Sequence, residues 1–287
     1  MARPHNDTQW DVVVEPSRPW WRIDVAELWR YRDLLVLLVR RDLISVYKQS
    51  LLGPAWQVIQ PLLTAVMFAV IFGLMARLST PGIPPLLFYL AGVVPWTFFA
   101  SVVNRTSNAF IQNAALMTKV FYPRLLSPLA TTLSTSVNFL VQLGAFFLLA
   151  VGYRLWGVYP WGLDLNALML PLLVVVLTVM GMGLGIIVAA LTTKFRDLTF
   201  LVSFGIHLLM FMSPVIFPLS MVPQGSRMRQ VIELNPVTAL VEGFRAALLG
   251  TPMEWSTLWY PTLFAVLVLV GGTMLFQRIE RTFADLI

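Results

Sequence analysis

The stretch LLGPAWQVIQPLL, Leu51–Leu63, puts Gly-Pro at the mouth of a long apolar run and a second proline, Pro61, seven residues later. A soluble helix rarely carries Pro54, Gln57, Gln60 and Pro61 within two turns, because an interior proline removes a hydrogen bond and clashes with the preceding turn. The composition around it explains the tolerance. Of 287 residues, 58% are hydrophobic and 12% charged, with a mean hydropathy of +0.77. Globular domains run at about 45–50% apolar and about 25% charged. The chain reads as an all-α polytopic membrane protein, in which broken helices survive where neighbours satisfy the freed backbone.

Six apolar stretches come close to the roughly 20 residues that a bilayer core requires. They fall at 54–76, 86–111, 126–152, 167–191, 198–218 and 258–278. The expected organisation is a cytoplasmic N-terminal segment with an interfacial helix (1–53), a six-helix transmembrane domain (54–278) and a cytoplasmic tail (279–287). The N-terminal stretch is polar and lacks the apolar core of a secretory signal. With the N-terminus inside, fourteen Lys and Arg lie on the cytoplasmic side and five outside: Arg77, Arg154, Arg227, Arg229 and Arg245. Arg105 lies within a span. The bias favours both termini in the cytoplasm, and the aromatics at Tyr153–Trp161 and Trp255–Tyr260 fit the opposite headgroup level.

Ahead of the first span, Leu28, Leu35, Val39, Leu43 and Val46 share one helical face, with Arg30, Asp33, Arg40, Arg41 and Lys48 opposite; Arg32 and Leu37 break the segregation. Such a basic amphipathic helix rests on anionic membrane lipid. Gly53 ends it and Pro54 starts the first span, so Gly-Pro forms the corner between lying on the membrane and crossing it. Between spans five and six, the segment 222–250 is split at Asn235-Pro236 into two amphipathic pieces too short to cross. Two short re-entrant helices are expected there.

The chain has no cysteine, and its two histidines, His5 and His207, lie far apart, so no metal or disulfide chemistry is expected. All fourteen Asp and Glu fall outside the spans, there is no Asp-x-Asp pair, and no phosphate-binding loop occurs. These features disfavour an enzyme or an ion-coupled carrier, and this chain is expected to bind no cofactor itself. Arg105 either snorkels to the cytoplasmic surface or, with Asn104 and Asn108, lines a polar path. Thr131, Thr135, Asn138 and Gln142 share one face of span three and serve either helix packing or the same path. Trp96, Phe98 and Phe99 offer ring faces to a sugar or simply pack. GMGLG, 181–185, reads as a close-packing motif. Two short cytoplasmic loops carry Lys119, Phe121, Tyr122, Pro123 and Arg124, and Lys194, Phe195, Arg196 and Asp197. Aromatics beside charges there point to docking of another protein.

LLGPAWQVIQPLL, LAGVVPWTFFASVVNRTSNAFIQNAALMTKVFYPRLLSP, FMSPVIFP, LNPVTALVEGFRAALLG and the terminal ERTFADLI together resemble the permease subunits of type 2 ABC exporters, in particular those of O-antigen and related polysaccharides. The likeness runs from about Arg30 to the C-terminus. It implies a half-transporter. Two copies would pair, and two ATP-binding subunits carrying ATP and Mg would dock at coupling helices around Lys119–Arg124 and Lys194–Asp197. The substrate implied is a polysaccharide on undecaprenyl diphosphate, and nucleic acid is no partner. A teichoic-acid, capsule or drug exporter on the same scaffold stays open, as does a membrane enzyme acting on lipid-linked sugars.

Overall fold

A computed structural model of the chain describes residues 25–48, 52–78, 80, 82–117, 122–192 and 197–284. Helices make up most of it, and no strand occurs among the described residues. In hydrocarbon every peptide group must find its partner within its own segment, and the helix does this locally. Two N-terminal helices, α1 (Val25–Arg30) and α2 (Arg32–Tyr47), precede the first span. That span is α3 (Ala55–Phe68), which continues as a π-helical stretch over Ala69–Met75. Then come α4 (Pro85–Ser107), α5 (Ala109–Met117), α6 (Leu126–Leu155), α7 (Leu170–Thr192), α8 (Leu198–Phe211), α9 (Arg227–Leu234), α10 (Pro236–Leu249) and α11 (Trp259–Ala284).

Five of the six expected spans are helical segments long and apolar enough to cross a membrane. The expected span 198–218 is the exception: only Leu198–Phe211 is helical. Fourteen residues reach about 21 Å at 1.5 Å each, short of the roughly 30 Å hydrocarbon core. Beyond it, Met212–Pro218 turns within the protein, with Ser213, Val215 and Ile216 buried. The second span also ends early, at Ser107 rather than 111. There the Asn108 amide donates to the Asn104 carbonyl at 2.8 Å and the Ser107 hydroxyl to the same oxygen at 2.8 Å. Side chains that take helix carbonyls compete with the ladder, and the chain bends into α5. At the other end, α11 runs without a break past the boundary expected at 278, to Ala284.

α4 lies at the centre of the bundle, with 78% of its span buried against 11% for the first span. α7 packs between α4 and α11, and GMGLG is the reason. A Cβ on Gly181 would lie 3.0 Å from a Val102 methyl of α4, and one on Gly185 would lie 2.5 Å from Thr106 Cβ. On the opposite face, a Cβ on Gly183 would lie 2.6 Å from the Leu269 backbone nitrogen of α11. Gly272 completes that contact, with only 2.8 Å between its own would-be Cβ and the Gly183 carbonyl. Lipid offers little hydrophobic drive for helices to associate, so backbones that approach this closely gain through packing.

The opening corner has the backbone that Gly-Pro suits. Gly53 sits at φ +49°, and Pro54, at φ −62°, immediately precedes α3. α2, however, ends at Tyr47, so Gly53 does not terminate that helix directly. The expected face of α2 is met in part. Leu38 is buried, while Leu28, Leu35 and Val39 pack beside it; the side chain of Val46 lies outside the described residues. Val36 and Leu37 stay 65% and 60% exposed, so the outward face is mixed rather than purely basic. Where a re-entrant pair is expected, the chain forms two helices split at Asn235. Its side chain accepts from the Val237 amide at 3.1 Å, Pro236 occupies the first turn, and Gly250 closes α10 at φ +69°.

Candidate functional site

Two groups of polar side chains stand out in the bundle. The first follows α4. Asn104 donates to the Ala100 carbonyl at 2.9 Å, and its side-chain oxygen accepts from Ser203 Oγ of α8 at 2.7 Å. This bond ties the second span to the short fifth helix. Asn108, one turn on, is partly exposed, as is Arg105 between them. Among the described residues nothing pairs with the Arg105 guanidinium. Higher on α4, Thr97 donates to Gln142 of α6 at 3.3 Å.

The remaining residues expected on the path lie inside the protomer. Thr135 and Asn138 are 3% and 5% exposed, and Thr131, on the same face, accepts the Thr135 hydroxyl at its carbonyl, 2.7 Å away. Trp96, Phe98 and Phe99 are 3%, 2% and 1% exposed. Phe98 stacks on Phe139 of α6 at 4.4 Å, and Phe139 meets the edge of Phe244 in α10. The rings therefore pack helix on helix and present no free face within the protomer.

The second group sits where α10 enters the bundle, and sequence reasoning missed it. Arg245, expected in an outer loop, is 1% exposed. Its Nη1 meets Glu242 at 2.8 Å, its Nη2 donates to the Val215 carbonyl at 2.8 Å, and Nη1 reaches Phe217 O at 3.5 Å. The guanidinium lies 4.0 Å from the centre of the Phe88 ring, and Gly92 leaves the room it occupies. Nearby, Asn235 donates to Ser213 Oγ at 2.8 Å. Arg245 Nε and the Tyr89 hydroxyl are buried without a hydrogen-bond partner among the described residues. The signal in the sequence was Glu-x-x-Arg inside an otherwise apolar α10, VEGFR at 241–245. Such a pair shares one helix face.

Of the residues expected to couple to a partner, Lys119, Phe121, Lys194, Phe195 and Arg196 lie outside the described residues. Arg124 and Asp197 are exposed and Pro123 is partly so. Tyr122 is not an exposed anchor. At 5% exposure it packs with Leu38 of α2 and with Leu126 and Ala130 of α6, and its hydroxyl lies 3.1 Å from Ser127 Oγ. Arg41 of α2 donates to the buried Asn113 of α5 at 2.6 Å. The N-terminal helix is thus fastened on both sides of the first loop.

The structure is thus a helical bundle with five segments long and apolar enough to cross a membrane, a short α8, a helix pair ahead of α11, and α2 tied to the residues on either side of the loop after α5. The chain belongs to the ABC-2 type transporter family, which its residues 33–249 match. Family membership implies an ATP-binding partner for this membrane subunit. The chain is 28% identical over 257 residues to the O-antigen export system permease protein RfbA of Klebsiella pneumoniae, covering 89% of this chain and 95% of the relative. It is 30% identical over 222 residues to the protein of the same name from Myxococcus xanthus, covering 77% and 82%. Similarity to the polysialic acid transport protein KpsM of Escherichia coli is 25% over 246 residues, covering 85% and 92%.

Proposed function

We propose that this chain is the membrane-spanning subunit of an ATP-driven exporter that carries a lipid-linked polysaccharide, O-antigen-like, out across the bacterial inner membrane. The supporting observation is that relatives matching 77–89% of this chain are named for O-antigen export or polysialic acid transport. Two copies pair, and two ATP-binding subunits, which themselves bind ATP and Mg, dock at the cytoplasmic loops around Lys119–Arg124 and Lys194–Asp197. Both termini are cytoplasmic. ATP-driven closure of the partners shifts the permease between two arrangements by contacts that differ between them. Arg124 and Asp197 are exposed charges suited to that contact, whereas Tyr122 acts by holding the loop against α2.

The polar path is carried by Asn104, Arg105, Asn108 and Gln142, which keep partial exposure. Arg105 meets the diphosphate of the carrier through its planar fork. Arg105→Lys should then lower export on the order of tenfold, because a charge-assisted bond is worth about 1.5 kcal/mol or more and about 1.4 kcal/mol is a factor of ten. Wild-type export by this variant would instead assign Arg105 to the membrane surface. The reading as a whole is tested by purification from native membrane. Two copies of this chain, two ATP-binding subunits and bound polyprenyl-linked sugar are expected. A lone chain, or a complex that carries only small apolar compounds, would overturn it.

A further inference from the structure

Buried backbone carbonyls outside a helix need donors from elsewhere in the protein. α8 ends at Phe211, and the turn Met212–Pro218 follows inside the protein. α10 grips this turn at two points. Asn235, its cap, donates to Ser213 Oγ, and Arg245, three turns along, donates to Val215 O and reaches Phe217 O. Glu242 and the face of Phe88 hold the charge in place. An arginine suits this task, because its fork offers several fixed donors at once.

We propose that Arg245 is the positioning residue that latches the turn after the fifth helix to the re-entrant helix, making the two one mechanical unit. The shape of the chain at this end of the bundle is then set from α10 and not by the length of α8. The unit moves as a block, and Arg245 must release Val215 and Phe217 before the turn can move alone. Asn235, Pro236, Ala239 and Glu242 are partly exposed along one side of α10, so the latch borders the surface of the chain. The inference rests on the contacts of this chain and is independent of which polymer is carried.

The chain has no native cysteine, so a single Ile216→Cys reports on the turn; Ile216 is buried, at 5% exposure. The full-length chain in its native complex is reacted with a small maleimide, and melting temperature is followed in parallel. Adding Arg245→Met should raise the labelling rate by at least about tenfold, since it removes the donors to the Val215 and Phe217 carbonyls while the Asn235 contact with Ser213 stays. Arg245→Lys, which keeps a charged donor, should return most of the protection. Gly92→Ala perturbs the same contact from α4 without changing charge. Its methyl would lie 2.9 Å from Nη2 and 3.2 Å from Val215 O, so labelling should rise there too. If Arg245→Met does not insert, Gly92→Ala decides alone. Unchanged labelling in Gly92→Ala, or labelling that tracks melting temperature with Arg245→Lys as damaging as Arg245→Met, would overturn the latch.

Discussion

Gly183→Ala should leave little correctly assembled protein, although alanine is the better helix former by about 1 kcal/mol. Its Cβ would lie 2.6 Å from the Leu269 nitrogen, 2.8 Å from Leu269 Cα and 2.8 Å from the Val268 carbonyl carbon. These are backbone atoms of α11, and no rotamer change moves them. Overpacking a core that can adjust its side chains costs about 1–3 kcal/mol. Here two whole helices must separate, and the loss should exceed that range. Gly271→Ala is the matched control, because nothing lies within 4 Å of its Cβ, and it should be neutral or mildly stabilising. Size-exclusion profiles and thermal unfolding of the full-length protein in detergent give the comparison. Equal behaviour of the two variants would remove the close contact between α7 and α11 from the account.

Phe139→Ala should be the most damaging change among the aromatics. The ring is 1% exposed, stacks on Phe98 at 4.4 Å and meets Phe244 at 6.1 Å, so it joins α6, α4 and α10. Removing a buried phenylalanine from a soluble core costs about 3–5 kcal/mol. Part of that cost is transfer out of water, which weighs less where lipid is the alternative solvent; the cavity and the lost contacts remain. Leu140→Ala, at a neighbouring site that is 59% exposed, should shift the unfolding temperature little. If the two variants unfold together, the ring trio is not a structural joint and Phe98 regains its candidacy as a sugar-facing ring.

What could be read from the sequence was what local chemistry dictates. The left-handed Gly53, the break at Asn235-Pro236 and the packing role of GMGLG each depend on what glycine, proline or a short amide does to its own backbone. The apolar spans follow from bilayer thickness. What escaped was set by distant partners. Arg245 was counted as an outer charge because a census of Lys and Arg treats every residue between spans as solvated; its acceptors lie about thirty positions earlier, in a turn. That turn was itself read as part of a span, since Met212–Pro218 is apolar enough to look helical. Tyr122 looked like an exposed anchor because nothing near it in sequence announces Leu38. Likewise, Phe98 and Thr135 share their faces with packing partners that only the three-dimensional arrangement reveals.

The pairing of Gly183 with Gly272 bears on how the molecule is made. Roughly ninety residues separate the two, so at about 5–20 residues per second the earlier helix leaves the ribosome roughly 5–18 s before its counterpart does. During that interval one side of α7 is a bare groove of backbone that no side chain covers. Whatever fills it meanwhile, whether lipid tails or the insertion machinery, must give way when the last helix arrives. The bundle therefore closes from its C-terminal end, and a chain interrupted before Trp259 would be left with an open seam for quality-control proteases to recognise.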